Sequence, residues 1–382
     1  MNRRTFLRIL GGGTILAAGG AGFFAATRVP ARAHAPWSDA GAPRYADPRL
    51  AALSYAILAP NPHNRQPWLV GLDGDTSVTL WFDTDRQLPF TDPFDRQLTI
   101  GLGCFLALME MAANAHGHRV ETALFPEGED PEGLDARPVA QIRFFPDSTV
   151  PVDPLWAQVP HRRSLKEPFD ATRMVEHETL RSVLEAGPYV NQIDGSVEPD
   201  DVACWRQLTE DALEIEIDTP RTYQESVDLF RIGKAEVNAN PDGIDFSGAT
   251  FDILAATGLF TRESARDTTT FTYQQGRAAV LENARTAMGH LWMVSRGNGR
   301  ADQIAAGADW LRANLAANAA GLGFHPLSQA LQEYPEMSAL YQTVHDRLAP
   351  DGGTVQMLAR IGYGPRVAVS PRWPLEAKLV GQ

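Results

Sequence analysis

The sequence predicts an α+β fold made of two fused half-units, and three observations predict it. The segment "GCFLALMEMAANAHG" (Gly103 to Gly117) aligns without gaps on "GADWLRANLAANAAG" (Gly307 to Gly321). A helical segment precedes each: "LAALSYAILAPNPHN" from Leu50 has a weaker echo in "LRSVLEAGPYVNQID" from Leu180. β-like runs follow each, "QIRFFP" at Gln141 and "VQMLARIGYG" at Val355. The spacing is far longer than a solenoid period, so a whole α+β unit is duplicated.

The first element is an export signal. Arg3 and Arg4 precede Phe6 and Leu7, an uncharged Gly/Ala-rich run spans Ile9 to Ala26, and Ala31, Ala33 and Ala35 offer a small-residue cleavage region. This is the charged head, apolar middle and processing region of a secretory signal. The paired arginines resemble the twin-arginine (Tat) signal. Residues 1–35 are assigned to it, with the Tat export machinery as a partner and the periplasm as destination. A retained segment would act as an anchor. Tat exports folded proteins, so the signal itself hints at a cofactor taken up first. Losing residues 1–33 removes five arginines and no acid, taking the net charge from −13 to −18, which favours solubility.

The first half runs over 36–150. Its opening helix ends in "APNPHNRQPW", and its alanine-rich helix closes at Gly117, a natural C-cap. The second half runs over 151–382 and repeats that order. It also carries an insertion near 219–275, where "RTYQESVDLFRIGKAEV" and "TFDILAATGLF" read as helices around the loop "NANPDGIDFSG". Insertions of this length serve as lids or as oligomerisation arms. The alanine-rich helices let neighbouring backbones approach closely and suit a central, buried position.

Several function classes are excluded. With 47 acidic against 34 basic residues, no basic stripe is available for nucleic acid. Cys104 and Cys204 form neither a CxxC nor a Cys/His cluster, so structural zinc is not expected. No Gly-x-Ser-x-Gly elbow, His-Glu-x-x-His, Walker loop or post-strand dinucleotide fingerprint occurs.

Two stretches hold more chemistry than a turn needs. "APNPHNRQPW", Ala59 to Trp68, crowds amides and prolines behind a helix that one Gly or Pro would end. "HRRSLK", His161 to Lys166, sets two guanidiniums, a hydroxyl and an ammonium within a few residues. Extended or turning, they can converge on one anion, which a guanidinium grips bidentately. Alone, that run reads first as a solvated basic turn.

Four motifs in order carry a resemblance over most of residues 45–382. "PNPHNRQPW" resembles the Pro-Ser-x-x-Asn-x-Gln-Pro-Trp loop of the nitroreductase-like FMN-binding family. "HRRSLKEPF" resembles its Arg-x-Ser-x-Arg/Lys-x-Phe. "LAANAAGLGFHPLSQAL" is similar to its late helix and turn, and "RIGYGPRVAVSPRWPL" to its C-terminal end. The family's phosphate motif lies only in the second half and its ring-contacting loop only in the first. The resemblance therefore implies a three-layer α-β-α sandwich in which the halves form an intramolecular pseudo-dimer, as in the Acg-like branch, with one FMN site retained. It implies Arg162, Arg163, Ser164, Lys166 and Arg372 at the phosphate. It implies Pro60, Asn61, His63, Asn64 and Gln66 at the isoalloxazine ring, with Asn64 reading the pyrimidine edge and Gln66 anchoring the loop. His63 replaces a small residue and contacts either flavin or substrate, or only the loop backbone. Leu327, Ser328 and Gln329 fall on the turn whose backbone N–H groups approach flavin N5. No protein catalytic residue is implied, because the flavin does the chemistry. The expected function is two-electron transfer from an unidentified donor to a small acceptor such as a nitroaromatic or quinone. The alternative is an FMN-binding or FMN-sequestering protein under a closed lid. A fused pair needs no second chain, so a monomer is expected.

Overall fold

The computed structural model describes residues 27–381. The twin-arginine head and apolar run, residues 1–26, lie outside the described residues. In chain order come α1 (Ala31–Asp39), α2 (Pro48–Ala56), β1 (Trp68–Asp73), β2 (Ser77–Phe82), α3 (Arg96–Ala115), β3 (His118–Leu124) and β4 (Pro138–Pro146). Then follow α4 (His177–Leu184), β5 (Gln192–Ser196), α5 (Pro199–Asp218), α6 (Pro220–Asp228), β6 (Phe230–Ile232), α7 (Gly233–Ala239), β7 (Ile244–Phe246), α8 (Ala249–Ala256), α9 (Arg262–Arg266) and α10 (Phe271–Arg285). The chain ends with β8 (Gly289–Ser295), α11 (Arg300–Ala319), β9 (Gly323–Pro326), α12 (Ser338–Leu348) and β10 (Thr354–Gly362).

The duplication is legible in the topology. One antiparallel sheet runs β1-β2-β4-β3 and the other β5-β8-β10-β9. Each therefore places its strands in the order first, second, fourth, third. Each half also puts its twenty-residue helix, α3 or α11, between its second and third strands. Gly117 and Gly321 follow those helices with φ of 72° and 73°, a left-handed conformation that glycine adopts without a Cβ penalty. At its start α3 is capped by Asp92, whose carboxylate accepts from the amides of Gln97 and Leu98 at 3.0 and 2.9 Å.

The halves meet where α3 crosses α11. A Cβ on Gly103 would lie 2.2 Å from the carbonyl oxygen of Ile304, and one on Gly307 would lie 2.1 Å from that of Ile100. The contact is reciprocal: each glycine takes the backbone of the other helix at the matching position, as in an isologous dimer interface. The Cys104 thiol donates to the Gly307 carbonyl at 3.1 Å, and burial pushes it up to about 12, so it stays a thiol. Cys104 and Cys204 are both free.

Layers follow from strand alternation. Leu291, Met293, Ala359 and Ile361 face the central helices, while Val294 and Leu358 face α5 and α12. The second sheet is thus sandwiched between helical layers. In β4, Ile142 and Phe144 are buried while Gln141 and Arg143 are exposed, so the first sheet leaves one face to solvent. The C-terminal segment returns to the first half: the Val70 amide donates to the Lys378 carbonyl and the Val380 amide to the Val70 carbonyl, both at 2.9 Å.

One boundary differs from expectation. β5 and β8 are adjacent antiparallel partners, where the first half joins β1 to β2 by a tight turn. The inserted chain is thus 197–288 rather than 219–275. Its first helix, α5, packs Trp205, Leu208 and Ala212 onto the second sheet and so carries an ordinary core-helix pattern. The small-residue stretch Ala31–Ala35 is helical, with Ala33 buried.

Gly307→Ala is expected to cost about 3 kcal/mol, since the clash is with backbone. That lowers the thermal midpoint by roughly 6–12 °C. An unchanged midpoint would show that the helices do not cross this closely.

Candidate functional site

The site is built from two loops held by buried arginines. Residues 59–67 carry three non-glycine residues at positive φ: His63 (46°), Asn64 (52°) and Gln66 (51°). Such conformations are strained and persist only where surroundings impose them. Side-chain bonds impose them here. Asn61 accepts from the Gln66 amide at 2.7 Å and donates to the Ala59 carbonyl at 3.1 Å. Asn64 donates to the Pro371 carbonyl at 3.1 Å and accepts from Arg372 at 2.6 Å. Gln66 donates to the Pro241 carbonyl at 2.7 Å and accepts from the Trp373 amide at 2.9 Å. Prolines 60 and 62 leave only the loop's remaining amides to be satisfied. The crowding of amides holds the loop shape. Asn64, expected at the ring edge, directs one amide N–H to Pro371 and its oxygen to Arg372, which leaves its second N–H open.

Arg372 is buried and donates to the carbonyls of Leu58 and Ala59 at 3.1 and 3.0 Å. Arg162, also buried, shares the Leu58 carbonyl at 2.9 Å and bonds Asn314 of α11 at 3.1 Å. Neither guanidinium has a carboxylate partner among the described residues. Burial pushes Arg162 down to about 10. Arg372 lies well below its ordinary value through burial and then the repulsion of Arg162. Their hydrogen bonds go to backbone and amide oxygens and, from Arg372, to the Ser370 hydroxyl, so both act here as clamps that also project positive potential. Arg360 does the same for the second loop, donating to the Leu165 and Glu167 carbonyls at 3.2 and 2.8 Å and to His325 at 2.9 Å. The Leu165 amide bonds the Phe324 carbonyl at 2.9 Å, laying the loop along β9.

Open donors remain. The buried Nε of Arg163 has no hydrogen-bond partner, and its guanidinium is held below its ordinary value by burial and then Arg366. Lys166 makes no hydrogen bond or ion pair with the described residues. It reaches solvent, yet desolvation holds its ammonium below the ordinary value, opposed by Asp245. Ser164 stands between these cations and is half-buried. His63 of the first-half loop lies within electrostatic reach of Lys166. Its buried Nδ1 is unpartnered, and the ring is pushed down to about 4 by burial, then Lys166, then Arg65. The loops from the two halves therefore face one another across the seam.

The late turn is bound more tightly to the second half. Leu327 packs with Leu213, Leu281 and Ala284, and its amide is spent on the Leu358 carbonyl at 2.8 Å. The Ser328 hydroxyl donates to that carbonyl at 2.9 Å and accepts from the Leu358 amide at 3.0 Å. These two side chains hold the turn on β10. Gln329 Oε1 is buried without a partner, beside Glu216. Burial pushes Glu216 up to about 6, against the Gln332 amide at 3.0 Å. The turn adjoins the seam through His325, which burial, Arg360 and Lys166 hold well below its ordinary value.

Four groups here had no motif to reveal them. Asn314 lies in the repeat helix. Asp245, on β7 of the insertion, faces Lys166 and His34. Trp37 sets its ring 5.8, 5.1 and 5.6 Å from the guanidinium carbons of Arg162, Arg163 and Arg372. His34 presents a buried, unpartnered Nε2. The insertion spans the seam: Glu225 accepts from the Phe90 and Thr91 amides at 3.0 and 2.9 Å, and Asp242 pairs with Arg86 and Arg231, both at 2.7 Å.

Similarity to known proteins is local. No family model matches the sequence. A Mycobacterium tuberculosis protein named "Putative NAD(P)H nitroreductase acg" is 36% identical over 95 residues, 25% of this chain and 27% of its own length. An uncharacterized protein of the same organism is 32% identical over 125 residues, 31% of this chain and 35% of its own. The chain thus spans only about a quarter to a third of these relatives. A solved FMN-dependent nitroreductase from Mycobacterium smegmatis, in complex with NADPH, shares 18% identity over 58% of this chain and 94% of that one, with a TM-score of 0.35. A nitroreductase with bound FMN from Bacteroides fragilis shares 13% over 58% and 93%, at 0.33.

Two titrations test this electrostatic layout. His63 is expected to keep one neutral-imidazole NMR signature from pH 5.5 to 8; a midpoint near 6.5 would place it outside the seam. Glu216 is raised in the fold, so its penalty is absent below its ordinary 4.5 and complete above about 6. Glu216→Gln should therefore gain about 2 kcal/mol in urea unfolding at pH 7.5 and nothing at pH 4.

Proposed function

We propose that this chain is an FMN-dependent oxidoreductase of nitroreductase type that moves two electrons from a donor to a small acceptor. The observation that carries this reading is the seam, where cations of the second half without an ion-pair partner meet the strained His63 loop of the first. The residues fit the group. FMN brings a phosphate of roughly two negative charges, and Lys166, Ser164 and the Nε of Arg163 hold the unspent donors, with Arg162 and Arg372 behind them. Each such charge-assisted bond contributes about 1.5–3 kcal/mol. When bound, the flavin would supply the electron-transfer chemistry. The chain's own residues bind the anionic tail, exclude water and hold the loop. His63, neutral at working pH, accepts or donates one hydrogen bond without adding charge.

The relatives' names support the same reading. NAD(P)H is one donor class and a quinol is another; nitroaromatics or quinones fit the acceptor. Export through the twin-arginine pathway and work in the periplasm as a monomeric pseudo-dimer belong to this proposal, resting on Arg3, Arg4 and the internal repeat. A second reading is favoured by one observation: the insertion is pinned over the loop through Gln66–Pro241 and Asp242–Arg86. A site closed in this way would store FMN without turnover.

The yellow absorbance of protein produced with its own export system tests the cofactor. Bleaching by NAD(P)H or a quinol, then recovery with a quinone, would establish turnover. Reduction by dithionite alone would favour storage. Lys166→Ala should weaken FMN binding roughly 10- to 100-fold by calorimetry, with the unfolding midpoint kept within about 2 °C because the side chain anchors nothing. Unchanged affinity would remove the phosphate from this place.

A further inference from the structure

Trp37 is not accounted for by the reading above, yet three cations converge on it. Its indole N–H donates to the Ser370 carbonyl at 2.8 Å, fixing the ring beside Arg162, Arg163 and Arg372. Cation–π attraction acts at such distances and strengthens where the cation is desolvated. It gives buried guanidiniums lacking carboxylates a neutral neighbour that does not compete for their charge. A carboxylate there would cancel the potential that an incoming anion needs; an aromatic face leaves it in place.

The helix that carries Trp37 is tied at both flanks. The Ala33 amide donates to Asn238 of α7 at 3.0 Å, and the Ala33 carbonyl accepts from the Arg372 amide at 2.9 Å. Lys234 of α7 donates to the Thr27 carbonyl at 2.7 Å. Residues 27–40 therefore form a strap between the insertion and the C-terminal segment, laid across the arginine cluster. His34 on the same strap faces Asp245, the carboxylate opposite Lys166.

We infer that Trp37 is a positioning residue of the anion site: it spaces the three guanidiniums and walls the site, so that a phosphate-bearing ligand leaves only when the α1 strap swings away. This rests on the anion reading proposed above and adds to it a wall contributed by residues 27–40. The strap and the insertion then open together, because Asn238 and Lys234 join them.

The test uses the full chain with Trp37→Ala, Trp37→Phe and Asn238→Ala. FMN release is followed by stopped-flow fluorescence. Separately, phenylglyoxal modification of Arg163 in ligand-free protein is mapped by mass spectrometry, with and without inorganic phosphate. Trp37→Ala and Asn238→Ala should speed FMN release at least about tenfold, and Trp37→Phe, which keeps a ring, should stay within about threefold of the parent. Arg163 modification should accelerate in parallel and be suppressed by phosphate. Unchanged release in Trp37→Ala overturns the inference while leaving the FMN reading intact. If the parent binds no FMN, Arg163 decides: faster, phosphate-suppressed modification in Trp37→Ala keeps the wall and removes FMN, whereas an unchanged rate overturns the wall too.

Discussion

Everything at the seam is positioned by two glycines that let two helix backbones touch. From the Gly103–Gly307 crossing, half a turn back along α3 brings Gly101 against Asn61, where a Cβ would lie 3.0 Å from the Asn61 side chain. Two turns onward along α11, Asn314 reaches Arg162. One close approach thus sets both the first-half loop and the second-half arginine. A wider crossing, such as leucine-sized residues require, would move the two loops apart by ångströms. The reciprocity of the contact also explains why the repeat persists in these helices: each must stay small where the other is small.

The electrostatics follow from how the cations are held. Arg162, Arg360 and Arg372 donate mainly to carbonyl and amide oxygens, with His325 and Ser370 as further partners, and the buried Nε of Arg372 is left without one. Most of the hydrogen bonding is thereby met without an ion pair. Burying such groups is unfavourable in isolation, and their lowered values record that. A preorganised positive field is the result, one that requires no side-chain rearrangement when an anion arrives. Asp245 is the carboxylate facing Lys166, and it comes from the insertion.

How much of this the sequence discloses depends on the range of the interaction. The repeat helices and their closing glycines are local patterns, and the architecture follows from them. The insertion's true start is hidden because α5 buries Trp205 and Leu208 like any core helix. Asn64 and Gln66 illustrate a second limit: composition shows that a loop is rich in amides, but only three-dimensional partners show whether they turn inward to the loop or outward to a ligand. Trp37 is obscured for another reason. It follows the apolar run and cleavage-like alanines, and it carries no periodic signal that would tie it to arginines more than a hundred residues away.

The C-terminal return has an implication for how the chain comes into being. β1 is the edge of the first sheet, and its Val70 is bonded on the outer side by residues 378 and 380. Lys378 also reaches the Gln66 carbonyl at 2.8 Å. A ribosome makes these residues about three hundred positions after β1. The first sheet therefore waits, with an unprotected border, until residues 378–380 have been made, and the loop beside it stays unlatched for the same interval.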